Sequence, residues 1–311
     1  MLGWFRRVGT RVYERALESE LSEPPSHVAV IMDGNRRYAD QQGDDPTEGH
    51  HAGAETTEAL LGWCDELDVE EVTLYTFSTE NFGRPPAERE ELFDLIAAKL
   101  REFADADRVH EAEVQIRAIG HLDRLPDRVR DAVAYADRRT GAYDRLQLNV
   151  ALAYGGRREL LDATRAVARR VDSGHLDPAD INSGTIEEAL YEGPTRDVDL
   201  IVRTGGDERT SNFLPWQANG NEAAVYFTAP YWPEFRKIDF LRGIRTYEHR
   251  EKSWRQTRAR RALAVVRAFG PAECPEASRV LDRFRHALPS GERATLSEDA
   301  EDVDTSLDPA D

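Results

Sequence analysis

Six short apolar runs constrain this chain more than any other feature: His27–Met32, Glu71–Phe77, Val114–Ile119, Leu146–Ala151, Asp199–Val202 and Ala223–Thr228. Most are continuous Val, Ile, Leu and Tyr rather than alternating with polar residues, as expected of strands covered on both faces. Longer stretches with helical spacing lie between them. In Arg89–Phe103, the residues Leu92, Phe93, Leu95, Ile96, Leu100 and Phe103 form a wide stripe, and Asp127–Arg139 and Arg157–Val171 are similar, the latter after Gly155-Gly156. This alternation predicts an α/β fold: a single domain with a central, mostly parallel six-stranded sheet flanked by helices. No internal repeat is visible.

In such sheets ligands collect beyond the carboxyl ends of the strands, and there the sequence turns sharply polar. The first run ends in Asp33-Gly34-Asn35-Arg36-Arg37, and the second in Ser78-Thr79-Glu80-Asn81-Phe82-Gly83-Arg84. The fifth ends in Arg203-Thr204-Gly205-Gly206-Asp207-Glu208-Arg209-Thr210-Ser211, and Glu222 stands before the sixth. A strand-to-helix turn at Gly34 presents backbone N–H groups at a helix N-terminus, which binds anions. Arg37, Arg84, Arg203 and Arg209 supply planar forks suited to phosphate oxygens, and the Ser211 hydroxyl adds a donor. The expected ligand head is therefore a phosphate or diphosphate. Asp33 would repel it unless a cation lay between, and Mg²⁺ is the natural cation because it shares phosphates and needs few carboxylates. Glu222 is a candidate second carboxylate. His50 and His51 are read into the loop before a helix, with a hydrogen bond from His50 to phosphate open to it.

Taken alone, each cluster has an ordinary reading: an N-cap, a solvated arginine, a glycine turn. The convergence of several on one sheet edge is what raises them above it. Other chemistries fit less well. The run Asp44-Asp45-Pro46-Thr47-Glu48 is read as a loop rather than a metal-binding aspartate motif, and no GxxxxGK[ST] phosphate loop occurs. A phosphatase nucleophile two residues before Asp33 is replaced by Ile31.

The net charge of −18 argues against general nucleic-acid binding. Of 41 basic residues only Lys99, Lys237 and Lys252 are lysines. This acidic, lysine-poor composition points to a high-salt cytoplasm, where self-repulsion is screened. Two cysteines, Cys64 and Cys274, are too few for a disulfide framework. No apolar run approaches the roughly 18–20 residues that span a bilayer. The expected organisation is an amphipathic helix over residues 1–22, a main domain over 23–288 and a disordered acidic tail over 289–311. The N-terminal helix either packs on the domain or touches lipid through Trp4, Phe5 and its arginines.

Several stretches together resemble the cis-prenyltransferases: HVAVIMDGNRRYA, the step Gly49-His50 to Gly53, TLYTFSTENFGRP, LNVALAYGGRREL, and DLIVRTGGDERTSNFLPWQ followed by Glu222 and YFT. They keep the family's order and cover roughly residues 25–250. The resemblance implies an α/β domain with a hydrophobic tunnel beside the sheet, normally a homodimer. It implies stepwise condensation of isopentenyl diphosphate onto an allylic diphosphate, giving a long polycis-polyprenyl diphosphate that serves as a glycosyl-carrier precursor. For an archaeal relative the implied primer is geranylgeranyl diphosphate. Asp33 would be the Mg²⁺-binding aspartate that helps the allylic diphosphate leave. Gly34, Asn35, Arg36, Arg37, Tyr38 and His50 would surround that diphosphate. Asn81, with Ser78, Thr79, Glu80 and Phe82 beside it, would lie near the proton-loss step, and Arg84 would bind substrate. Arg203, Arg209, Thr210 and Ser211 would hold isopentenyl diphosphate, and Glu222 would be the second Mg²⁺ ligand, near the dimer interface. The family's usual basic residue four places before its histidine is Pro46 here, and Tyr38 and Phe82 replace the usual tryptophans. The alternatives are a non-catalytic subunit of a heteromeric cis-prenyltransferase, though such subunits tend to lose the Asp33 and arginine positions, or a phosphatase on a similar sheet.

Overall fold

In the computed structural model, which describes residues 13–191, 196–220, 223–269 and 274–289, each apolar run forms a strand. These are β1 (His27–Ile31), β2 (Glu71–Ser78), β3 (Val114–Ile119), β4 (Leu146–Tyr154), β5 (Leu200–Arg203) and β6 (Ala224–Phe227). They form one sheet in the order β3-β4-β2-β1-β5-β6, and every neighbouring pair is parallel. Between the strands run the helices α1 (13–20), α2 (Asn35–Gln42), α3 (Pro46–Glu66), α4 (Pro86–Asp105), α5 (Asp107–Glu111), α6 (Asp127–Thr140), α7 (Gly156–Asp172) and α8 (Ser183–Leu190). After β6 come α9 (Lys237–Phe269) and α10 (Pro275–Phe284).

The continuous apolar runs bury both faces of the sheet. Val28 and Val30 of β1 pack on one side with Leu60 of α3, Phe93, Ile96 and Leu100 of α4, and Val129 of α6. Ala29 and Ile31 pack on the other with Ile201, Phe213 and Tyr154. All five residues of β1 are buried, so a charge placed at Val30 would lose roughly 1.5–3 kcal/mol of apolar burial and leave an unpaired ion inside.

Two compact units divide the chain, Met1–Tyr247 and Glu248–Asp311. The sheet and α1–α8 belong to the first, where Leu17 of α1 is buried with Ile238 and Leu241. In the second, Ala259, Ala262 and Leu263 pack with Leu281 and Phe284. Residues 1–12 of the expected N-terminal helix, the acidic tail from 290 onward and Glu222 lie outside the described residues. Among the described residues no helix is long and apolar enough to cross a membrane.

One local expectation is corrected. Of the run Asp44-Asp45-Pro46-Thr47-Glu48 only Asp44 and Asp45 are loop; α3 already starts at Pro46, so Pro46-Thr47-Glu48 are helical and His50 and His51 lie inside the helix rather than before it. Asp45 is its N-cap, accepting the Thr47 N–H at 3.0 Å, and Pro46 fills the first helical position, where its missing N–H costs nothing. His50 therefore has a fixed helical position beside the sheet edge.

The strand order places the functional edge. Chain connections leave β1 toward β2 on one side and β5 toward β6 on the other, so the sheet's switch point lies between β1 and β5. Ile31 pairs with Arg203 across that gap, which brings the residues following both strands together.

Candidate active site

Asp33 follows β1 by two residues and is fixed first by its backbone. Its N–H donates to the Thr204 hydroxyl at 3.0 Å, and its carbonyl accepts from that hydroxyl at 2.7 Å and from the Trp232 N–H at 3.0 Å. Gly34 comes next with φ +106, and a Cβ there would lie 2.6 Å from the Tyr231 ring. Any side chain is thus excluded twice, by conformation and by space. The chain turns there into α2, whose first N–H groups have no side-chain cap.

The Asp33 carboxylate lies between two arginines. Arg203 donates to Oδ2 at 2.6 Å and Arg37 to Oδ1 at 3.0 Å. Burial pushes the Asp33 carboxyl up, but the hydrogen bonds and charges of Arg203 and Arg37 outweigh burial and hold it below the usual carboxylate range. Arg203 is 3% exposed, and its fork is spent on several partners. Besides Asp33 it donates to Asp207 at 3.1 Å, to the Ser211 hydroxyl at 2.5 Å and to the Arg209 carbonyl at 2.5 Å. The Arg209 guanidinium is exposed and pairs with Asp207 at 3.0 Å. Arg37 also donates to the Gly205 carbonyl at 2.9 Å and stacks over Tyr231 at 5.3 Å.

A cleft of about 380 Å³ opens beside this network, walled by Met32, Asp33, Gly34, Asn35, Arg36, Arg37, Asp40, His50 and Arg84. Arg84 is held by Glu88 at 2.6 Å, and Arg36 approaches the same carboxylate at 3.6 Å. Burial first, then the positive charge of Arg84, drives the His50 imidazole down to about 4, so it is neutral near pH 7. Its Nε2 and the Asn35 carboxamide oxygen are buried with no hydrogen-bond partner among the described residues. Met32, Asn35 and His50 also border a second, apolar cavity between the sheet and α3 and α4, lined by Leu74, Leu95, Ile96, Leu100, Phe103 and Leu148 among others. A polar head in the cleft can therefore be continuous with an apolar tail under α4.

Of the residues expected from sequence, Asp33, Gly34, Asn35, Arg36, Arg37, His50 and Arg84 meet around this cleft, and Asp33 joins them to Arg203, Ser211 and the Arg209 backbone. Tyr38, Ser78, Asn81, Phe82 and Thr210 are not among the cleft walls. Ser78 and Asn81 form a capping box: the Asn81 carboxamide oxygen accepts the Ser78 N–H at 2.8 Å, and the Ser78 hydroxyl accepts the Asn81 N–H at 3.2 Å. That oxygen is engaged as a cap, and the amide NH₂ remains as a donor. Phe82 packs edge-on against Phe77 under the Arg124 guanidinium, and Thr79 and Glu80 bond each other at 3.3 Å. The strand after Glu222 begins at the amino edge, where Ala224 pairs with Leu200, opposite the edge that carries Asp33.

Four residues of the network carry no assigned role in the sequence: Thr204 and Asp207, which stand in the polar run after β5, and Glu88 and Tyr231. Asp207 was visible in the polar run after β5, and a carboxylate among arginines there signals an ion-pair network. Glu88 is four residues after Arg84, a helical pairing distance. Thr204 and Tyr231 gave no signal, because their roles depend on the pairing of Ile31 with Arg203 and on the close approach to Gly34.

A prenyltransferase family model described as "Putative undecaprenyl diphosphate synthase" matches residues 31–255. A tritrans,polycis-undecaprenyl-diphosphate synthase (geranylgeranyl-diphosphate specific) of Haloarcula marismortui is 68% identical over 299 residues, covering 96% of this chain and 98% of that one. The protein of the same description from Halobacterium salinarum is 66% identical over 278 residues, covering 89% and 92%. Both sources are haloarchaea, in keeping with the acidic, lysine-poor composition. Among solved structures, lavandulyl diphosphate synthase from Lavandula x intermedia, in complex with dimethylallyl diphosphate, is 32% identical with a TM-score of 0.66, covering 72% of this chain and 95% of that one.

Proposed function

The chain belongs to the undecaprenyl diphosphate synthase family of prenyltransferases, and we propose that it condenses isopentenyl diphosphate repeatedly onto geranylgeranyl diphosphate to give an undecaprenyl-type polycis diphosphate. The relatives named for that activity and primer support the reaction. The observation that carries the site assignment is the meeting of the Asp33–Arg203–Arg37 network with a cleft that shares Met32, Asn35 and His50 with an apolar cavity. A molecule with a diphosphate head and a prenyl tail matches both halves.

In this reading the allylic diphosphate lies at the start of α2, receiving backbone N–H groups, the Arg37 and Arg84 forks and a hydrogen bond from neutral His50. Isopentenyl diphosphate lies against Arg203, Arg209 and Ser211. Several of these arginines are paired with carboxylates, Arg84 with Glu88 and Arg203 with Asp207. Diphosphate oxygens would replace those carboxylates on forks already fixed in orientation, so little reorganisation is needed as charge develops on the leaving group. The isopentenyl double bond attacks the allylic carbon, the carbon–oxygen bond to diphosphate breaks, and a proton is lost from the new cation to leave a Z alkene. Leu95, Ile96, Leu100 and Phe103 are read as tunnel wall for the growing chain, which the apolar lining keeps from water.

Mg²⁺ fits the donor set. Asp33 is ionised at neutral pH and reaches the cleft, and Mg²⁺ characteristically takes one or two carboxylates and completes its shell with phosphates and water. When bound it would neutralise leaving diphosphate charge. Because β6 starts at the edge opposite Asp33, Glu222 is proposed as the second carboxylate only from the partner of a homodimer. The test is incubation with Mg²⁺, labelled isopentenyl diphosphate and dimethylallyl, farnesyl or geranylgeranyl diphosphate, reading product length by chromatography. Polyprenyl products from the geranylgeranyl primer, absent with Asp33→Ala of normal fold, are expected. Equal incorporation by that variant would remove the mechanism.

A further inference from the structure

The Gly155-Gly156 turn after β4 has no role in the mechanism above, yet it joins three of the loops on the functional edge. Helix α7 starts there without a cap of its own, since Gly155 has no side chain to offer. The cap comes from 55 residues away in sequence: the Arg157 N–H donates to the Asn212 carboxamide oxygen at 2.8 Å. The Gly156 N–H donates to the Asn212 carbonyl at 2.9 Å. Close approach makes this possible. A Cβ at Gly156 would fall 2.1 Å from the Pro215 ring, and one at Gly155 would fall 2.7 Å from the Thr79 hydroxyl.

The segment so clamped is strained. Ser211, Asn212 and Leu214 have φ of 47°, 62° and 45°, in the left-handed region that L-residues seldom adopt. Such conformations persist where the surroundings over-determine them, and they gather at functional sites. Here the surroundings are the α7 N-terminus and an aromatic bed: Phe213 stacks on Tyr75 at 4.4 Å and meets the edge of Tyr154 at 5.7 Å. The product of this constraint is the position of one hydroxyl, Ser211 Oγ, 2.5 Å from the same Arg203 guanidinium that holds Asp33.

We propose that Asn212 is a positioning residue for isopentenyl diphosphate: by capping α7 in trans it holds Ser211 and Arg203 in the geometry that receives the diphosphate. The inference rests on the assignment of Arg203 and Ser211 to that substrate. Asn212 acts through its neighbours, since its carboxamide oxygen and its carbonyl are both spent on α7. Asparagine suits the place because it tolerates the left-handed region, accepts from helix N–H groups and adds no negative charge beside a diphosphate.

The experiment compares wild type, Ser211→Ala, Asn212→Ala and Asn212→Asp by steady-state kinetics, varying each diphosphate while the other saturates. Molar KCl shortens the Debye length to about 3 Å and screens the charge of the aspartate. Asn212→Ala is expected to raise KM for isopentenyl diphosphate about tenfold with KM for the allylic diphosphate within twofold. Asn212→Asp, which keeps the cap, is expected to return to within threefold of wild type. If alanine yields no folded protein, Asn212→Gly relieves the strained backbone while still removing the cap, and the same tenfold rise is expected. A raised KM for Ser211→Ala with a normal KM for Asn212→Ala overturns the proposal alone. A normal KM for Ser211→Ala overturns the substrate assignment and the proposal with it. Equal loss for both substrates in Asn212→Ala, with no rescue by aspartate, reduces Asn212 to a general folding role and also overturns it.

Discussion

Arg203→Lys keeps the charge and removes the fork, so it isolates what the guanidinium geometry contributes. Arg203 is almost fully buried and donates to Asp33, Asp207, Ser211 and the Arg209 carbonyl. A lysine ammonium is a point charge on a flexible stem and can keep one carboxylate contact, that to Asp33 being the natural choice. One hydrogen bond to a carboxylate, about 1.5–3 kcal/mol, and two to uncharged acceptors, at least about 0.5–1.5 kcal/mol each, are then lost. Asp207 is partly exposed, so water replaces that bond in the free protein, leaving about 1–3 kcal/mol of lost stability. With isopentenyl diphosphate bound, the bidentate contact is also missing, and the loss in transition-state binding reaches about 2–4 kcal/mol, a factor of roughly 30–1000 in kcat/KM. The assay is incorporation of labelled isopentenyl diphosphate at low substrate, alongside a denaturant midpoint. A variant within threefold of wild-type kcat/KM, with the wild-type midpoint, would refute the reasoning that the fork rather than the charge is required.

Three further outcomes follow from the same structure. The His50 imidazole, lowered to about 4, makes no demand on stability above about pH 6.5 and withdraws support only as pH falls from there toward 4; ring resonances should show a free-state pKa below about 5 that rises when an allylic diphosphate binds, whereas titration near 6.5 in the free protein would contradict the placement. Burial raises the Glu159 carboxyl to about 7, against its hydrogen bond from the Tyr154 hydroxyl at 2.5 Å. Its support for the fold is therefore full below about 4.5 and fades as pH rises through 7. Relative to Glu159→Gln, the wild type should lose about 1–3 kcal/mol between pH 5 and pH 8 in urea unfolding, and parallel curves would argue against a buried acid. Ala54→Phe, directed into the apolar cavity from α3, should leave the first condensation within a fewfold of wild type and shorten the final product, and unchanged length on chromatography would separate that cavity from the chain's path.

The sequence read most clearly where burial is continuous. The six strands were legible because runs such as HVAVI must be covered on both faces, and no other short element does that so economically. Strand ends are blurred by one to three residues: β4 runs on to Tyr154, and Asp199 lies before β5, where its carboxylate accepts the Ser26 and His27 N–H groups and ties the start of β5 to that of β1. The polar clusters were legible because arginine, glycine and aspartate have no reason to follow a buried strand together. The start of α3 is hidden in an acidic run, although Asp45-Pro46 carries the N-cap and first-turn signature. The roles of Thr204 and Asn212 could not be read, because each depends on a contact between segments far apart in sequence. Asn81 shows the converse: its residue type suggests chemistry, and its carboxamide oxygen is used to cap a turn.

The central claim is that one rim of the sheet holds two diphosphates while the prenyl tail of one enters the apolar cavity under α4. A crystal structure with Mg²⁺, isopentenyl diphosphate and an unreactive thiodiphosphate analogue of the geranylgeranyl primer tests it most directly. One diphosphate is expected at the Gly34–Arg37 turn with its tail between α3 and α4, and the other against Arg203, Arg209 and Ser211. Diphosphates bound away from Asp33, or a tail lying outside that cavity, would contradict it.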